Sequence, residues 1–174
     1  MKKLIFLSLL LCSMSLLIAQ ETGNEPTKKL HKIPAVDIKT LDGKVFNTAD
    51  ITNDGKPMII SLWATWCKPC IAELMAIADV YEDWVEETGV KLFAISVDDA
   101  KTVARVAPFV NGKSWDYEVL LDQNWDFKRA MSVPDVPFLC ILNGNGEIVW
   151  QHTSYAPGSE EEVIEIVKKL VEKK

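Results

Sequence analysis

Histidine and cysteine are scarce in this chain, with two and four respectively among 174 residues. Neither His31 nor His152 has a serine or cysteine partner at a recognised nucleophile elbow, so no hydrolase triad can be assembled from them. Beyond the first nineteen residues only Cys67, Cys70 and Cys140 remain. Three cysteines do not make a stapled scaffold, and one active pair plus one spare thiol is the simpler account. A zinc site is disfavoured too, because no second ligand pair stands at finger spacing. Positive charge is not in excess: 19 basic against 25 acidic residues give a formal net charge of −6, which leaves no nucleic-acid footprint. Internal repeats and a second domain are also missing, and the composition, 48% hydrophobic and 25% charged, is that of one ordinary globular domain.

The first nineteen residues stand apart. Met1-Lys2-Lys3 is basic, Leu4–Leu11 is apolar but for Ser8, and the stretch ends on Ala19, which is the pattern of a secretory signal peptide. Ser8, Cys12, Ser13 and Ser15 interrupt it, leaving it marginal as a membrane span of about 17–20 residues. Uncleaved anchoring is therefore the minor reading, and lipidation at Cys12 is disfavoured by Leu11 before it. Cleavage leaves 17 basic and 25 acidic residues, a net charge of −8. Residues 20–32 are polar and aperiodic, a flexible lead-in, and residues 33–174 form the domain. Export would place that domain in the periplasm or cell envelope, where thiols and disulfides interchange.

Within it, Trp66-Cys67-Lys68-Pro69-Cys70 stands between an apolar run, Met58–Trp63, and a helical pattern in which Ile71, Leu74, Met75, Ala78, Tyr81 and Val85 recur at three- and four-residue steps. A strand buried on both faces, the motif and a helix to about Thr88-Gly89 follow in order. A helix N-terminus offers unpaired N–H groups and partial positive charge, so a cysteine there ionises below the ordinary thiol value of about 8.5. Pro69 suits the first helical turn.

Around this centre the pattern predicts two short strands about Asp42-Gly43, a strand over Val90–Val97, a helix over about Ala100–Val110, a strand over Tyr117–Asp122 and a short helix from Trp125 to Met131. A strand over Phe138–Leu142, a turn at Asn143–Gly146, a returning strand and a final helix complete the chain. Ser159 and Glu162 are expected to form a capping box for that helix, and Asp98-Asp99 to cap the helix after them rather than bind metal. The fold class is α/β, a three-layer sandwich.

Trp63–Cys70, the Val136-Pro137-Phe138 segment and Asn143–Val149 together resemble the thioredoxin-like thiol-disulfide oxidoreductases of the bacterial cell envelope, the TlpA-like or ResA-like group. The resemblance implies a thioredoxin-type sandwich with an N-terminal β-hairpin and a helix-strand insertion within residues 100–122. It makes Cys67 the nucleophile and Cys70 the resolving thiol, with Trp66, Lys68, Pro69, Val136 and Pro137 facing the substrate and Pro137 in the place of a cis proline. Ser61 stands where cytoplasmic thioredoxins carry a buried aspartate, and Glu73 instead matches a glutamate of the cytochrome c maturation reductases. Met75 replaces a proline found in many relatives, implying a straighter helix. Cys140 is expected to be a buried apolar residue.

The function implied is reduction of disulfides in exported cysteine-containing proteins, possible substrates including those of cytochrome c maturation. A membrane electron donor is implied, a soluble monomer is expected after cleavage, and no cofactor or metal is called for. A peroxidase on the same fold and a CxxC metal carrier are the alternatives. The first lacks the Pro-x-x-x-Thr-x-x-Cys context, since Ser61 stands four residues before Thr65 and Cys67 follows too closely, and the second lacks a well-placed histidine.

Overall fold

The computed structural model describes residues 31–113 and 115–172. The expected leader at 1–19 and nearly all of the lead-in therefore lie outside the described residues. The elements run β1 (Asp37–Thr40), β2 (Val45–Asn47), β3 (Met58–Trp63), α1 (Lys68–Ala78), α2 (Tyr81–Thr88), β4 (Lys91–Ser96), α3 (Val106–Asn111), β5 (Glu118–Leu121), α4 (Asp126–Ala130), β6 (Phe138–Leu142), β7 (Ile148–Thr153) and α5 (Ser159–Glu172). Seven strands form one mixed sheet in the order β2-β1-β5-β4-β3-β6-β7. It is the middle layer of the expected α/β sandwich.

The position of β3 follows from its composition. All six of its residues are buried, and it pairs in parallel with β4 and antiparallel with β6. An unbroken apolar run suits a strand covered on both faces. Parallel pairing with β4 needs a crossover, supplied by α1 and α2. The N-terminal hairpin turns at Gly43 (φ 83°), and β1 adds to β5, whose strand and the α3 helix before it fill the expected insertion.

The sequence pattern and the structure differ at four places. The helix expected from Ile71 to Thr88 is two helices, because the chain tightens at Asp79 and Val80, where Val80 N–H donates to Ile77 O. The break turns Tyr81 toward the sheet, where its hydroxyl accepts from the Leu92 N–H of β4 at 3.0 Å. Thus the straighter helix inferred from Met75 is not found. The helix expected from Ala100 begins only at Val106, after a 3-10 turn over Val103–Arg105. Pro108 explains this, since proline is accommodated in a first turn but not deeper in a helix. At α5 the Ser159 hydroxyl accepts from Ala156 N–H, while Glu160, not Glu162, reaches back to Gly158 N–H. Finally, Asp98 does not cap a helix: Asp99 accepts from Lys101 N–H, and Asp98 turns inward.

An aromatic chain fastens the insertion to the helical layer. Trp63, Trp115, Tyr117 and Tyr81 meet in succession at centroid distances of 5.1, 5.2 and 5.4 Å, and the Tyr117 hydroxyl donates to the Leu74 carbonyl of α1 at 2.9 Å. Burial raises the phenol pKa values of Tyr117 and Tyr81. Tyr117→Phe should cost about 1 kcal/mol, the usual net worth of such a bond. A folded pKa above the unfolded one gives stability that is complete below about pH 10 and falls as pH rises beyond it. Denaturant unfolding at pH 7 and above pH 10 should therefore show a shallower alkaline loss in Tyr117→Phe than in the parent.

Candidate active site

The motif emerges where β3 ends. Cys67 is the N-cap of α1 with extended backbone, and its sulfur accepts the Cys70 N–H at 3.3 Å, while Pro69 occupies the first turn. Cys67 and Cys70 are joined by a disulfide with their Cα atoms 5.3 Å apart. Cys70 is fully buried and Cys67 is 5% exposed. The order is the one expected, but the outer sulfur is itself nearly covered in this oxidised form. Trp66 (54% exposed), Lys68 and Pro69 make the surface beside it.

Pro137 reaches the same end of the sheet through strand register. Phe138 lies opposite Leu62, so the residue before it stands level with Trp63, next to the motif. The Val136–Pro137 peptide is cis, Val136 is half-buried, and the Pro137 carbonyl accepts from Ser154 N–H at 3.2 Å.

Glu73 lies one turn beyond Cys70 on α1 and is only 1% exposed. Its Oε1 is 2.8 Å from His152 Nε2 of β7, and its Oε2 has no hydrogen-bond partner. His152 pairs with Leu139, which pairs with Ser61, so these three form a row across adjacent strands. Residues directly opposite in antiparallel strands share a face. Ser61 therefore lies on the face that carries the Glu73–His152 contact, and its own hydroxyl is also buried without a partner.

Sequence reasoning missed two contributions. In the sequence His152 has no nucleophile to serve, although it alternates with Trp150 on one face of β7, which was the available signal. Asp98 was read as a cap. It is fully buried and accepts from Thr65 N–H (2.7 Å), the Thr65 hydroxyl (2.6 Å) and the Ser96 hydroxyl (2.9 Å), tying the loop before Cys67 to the end of β4. Nearby, the Trp125 indole donates to Val97 O at 2.7 Å, and Lys128 lies 5.2 Å from its ring while donating to Pro134 O. Cys140 is buried, and burial pushes its thiol up to about 12, in keeping with a packing residue.

A family model described as AhpC/TSA matches residues 30–151, more than half of the chain. The chain belongs to the AhpC/TSA family. Among solved members of the fold, a thioredoxin-like protein from Porphyromonas gingivalis is 51% identical, with a TM-score of 0.73 over 81% of this chain and 92% of that one. Two relatives named thiol-disulfide oxidoreductase ResA are more distant. That of Bacillus subtilis is 26% identical over 145 residues, 82% of this chain and 78% of its own length. That of Oceanobacillus iheyensis is 33% identical over 95 residues, 55% of this chain. The match spans 48% of the length of the Oceanobacillus protein. The activity in these relatives' names, thiol-disulfide oxidoreduction, is one that a closely spaced cysteine pair can carry out.

The Asp98 tie has a measurable consequence. Asp98→Ala strands a backbone N–H and two hydroxyls, and each lost bond is worth about 1 kcal/mol. We expect a stability loss of about 3 kcal/mol by urea unfolding, a much smaller one in Asp98→Asn, and slower disulfide exchange in Asp98→Ala at temperatures where it remains folded.

Proposed function

We propose that this protein is an exported thiol-disulfide oxidoreductase that reduces disulfides of cell-envelope proteins, substrates of cytochrome c maturation among them. The observation that carries the reading is the Cys67–Cys70 disulfide at the N-terminus of α1. Pro137, brought by strand register to the same end of the sheet, supports it. In the reduced protein the Cys67 thiolate attacks one sulfur of the substrate disulfide, expelling the other as a thiolate. Cys70 then gives up its proton and attacks Cys67, forming the intramolecular disulfide and releasing the second substrate thiolate. Two electrons pass to the substrate, and a membrane donor restores the dithiol.

Each motif residue has a role in this reading. The open N–H groups and dipole of α1 favour the Cys67 thiolate. Trp66, Lys68, Pro69 and Val136 contact the substrate chain, and Pro137 leaves the backbone of Val136 before it free to align that chain. Glu73 takes the proton from Cys70, a task that Ser61 cannot perform at neutral pH. Among the described residues, no helix is long and apolar enough to cross a membrane. Residues 1–19, read as the export signal, are not among them.

The deciding experiment is mixed-disulfide trapping. Cys70→Ala leaves Cys67 unable to resolve, so envelope proteins with redox cysteines should accumulate on it, and be absent from Cys67→Ala/Cys70→Ala. Equal recovery from both variants would overturn the reading. For Glu73, replacement by Gln should slow reduction of a disulfide substrate about 100-fold and change its profile between pH 5 and 9, the lower end of what a lost general base costs. Superimposable profiles would leave Glu73 as a structural acid.

A further inference from the structure

We infer that His152 is a positioning residue for the exchange reaction: it holds Glu73 through Oε1, leaves Oε2 to receive the Cys70 proton, and gives that proton an outlet to solvent. The inference rests on the reductase reading and extends it to a residue on another element. Glu73 belongs to α1, whereas His152 comes from β7, 79 residues away, and the two meet at 2.8 Å. A carboxylate buried to 1% exposure ordinarily satisfies both oxygens, because leaving one unpaired costs about 1–3 kcal/mol. Here one oxygen is bound and the other is not. The imidazole fixes which oxygen is free.

Exposure is graded along this arrangement. Cys70 is fully buried, the Glu73 side chain is 2% exposed and the His152 side chain 17%. The imidazole is thus the first of the three groups with appreciable access to water. A ring contact with Trp150 at 4.9 Å restrains it from its own strand. The titratable groups around the pair are few. Cys70 shares α1 with Glu73, while Tyr155 follows β7, and its hydroxyl donates to Glu160 of α5. Burial, then Glu160 and finally the field of Glu73 keep the Tyr155 phenol protonated above its usual range, so it does not compete for the proton.

The step balances as follows. The bond between Cys67 and the substrate sulfur breaks as the Cys67–Cys70 bond forms. The Cys70 proton passes to Glu73 Oε2, one proton leaves the Glu73–His152 pair at the exposed imidazole edge, and the departing substrate thiolate takes a proton from water. The substrate disulfide is reduced to two thiols, and the protein dithiol is oxidised.

Two measurements test this. The first loads Cys67 of the reduced protein with 5-thio-2-nitrobenzoate and follows its release by absorbance in a stopped-flow instrument from pH 5 to 9. His152→Gln retains a hydrogen-bond donor but cannot titrate, and should slow release about tenfold at neutral pH and flatten the profile. The second follows the histidine ring protons by NMR, where only His31 and His152 contribute. Glu73→Gln should displace the His152 ring resonances, because the carboxylate 2.8 Å from Nε2 is gone, and leave those of His31 unmoved. A merely structural His152 would not give a changed release profile in a variant with parental melting temperature. Superimposable profiles for His152→Gln and the parent, or unmoved His152 resonances in Glu73→Gln, would overturn the inference. Should His152→Gln not fold, His152→Asn takes its place in the release experiment, and a parental profile there would overturn the inference equally. Failure of trapping with Cys70→Ala would count against the reductase reading, whereas a normal trap with an unchanged release profile would count only against His152.

Discussion

A helix N-terminus activates a thiol only while its backbone N–H groups stay aimed at the sulfur, and most of this structure serves to hold that aim. Cys67 is both the N-cap of α1 and half of the disulfide, so any drift of the preceding loop would move the sulfur relative to the dipole. Two constraints oppose that drift. β3 delivers the chain from the middle of the sheet with no exposed residue, and Asp98 takes two hydrogen bonds from Thr65 across the gap between β3 and β4 and a third from Ser96 on its own side. A buried carboxylate is costly unless every bond it accepts is well made, and here the donors are short and come from two segments. The loop before Cys67 is thus set by an electrostatic tie rather than by apolar packing, which tolerates small shifts more readily.

What could be read from the sequence divides along the same line. The apolar run of β3, the Pro69 in the first turn and the Gly89 stop are local signals, and each element they predict is found. So are the hairpin, the insertion and the terminal helix. The break between α1 and α2 was not legible, because Tyr81 and Val85 continue the helical period of Ile71 and Leu74. The break sets the Tyr81 hydroxyl to accept from Leu92 N–H, a tertiary contact with no local trace. The delayed start of α3 was legible in principle, since Pro108 stands inside the expected helix and argues for a later beginning.

Within the site, the cysteines and Pro137 carry motif signals and Glu73 carries a positional one, whereas Asp98 and His152 carry neither. Asp98-Asp99 looks like any acidic pair before a helix, and only the parallel register that sets Ser96 beside Trp63 brings Asp98 within reach of Thr65. His152 is separated from Glu73 by 79 residues, and its contact exists only because β6 and β7 follow β3 at one edge of the sheet. Long-range polar contacts of this kind depend on topology first and residue type second.

The polar row under α1 follows from these constraints. Ser61 and Glu73 each leave a buried oxygen unpartnered, and two such groups in a domain of marginal stability are a substantial burden. An apolar residue at position 73, whose side chain is 2% exposed, would remove the larger part of it. In the reading proposed above, a carboxylate there, one turn from a fully buried Cys70, meets a need that packing cannot. A thiol shielded from water must lose its proton before it can attack, and burial opposes the charged form. A base beside it must itself be sheltered, or water would compete for its contacts, yet it must still return its proton to the outside. As proposed, burying Glu73 while tying one oxygen to a half-buried histidine satisfies both demands with two side chains 79 residues apart in sequence.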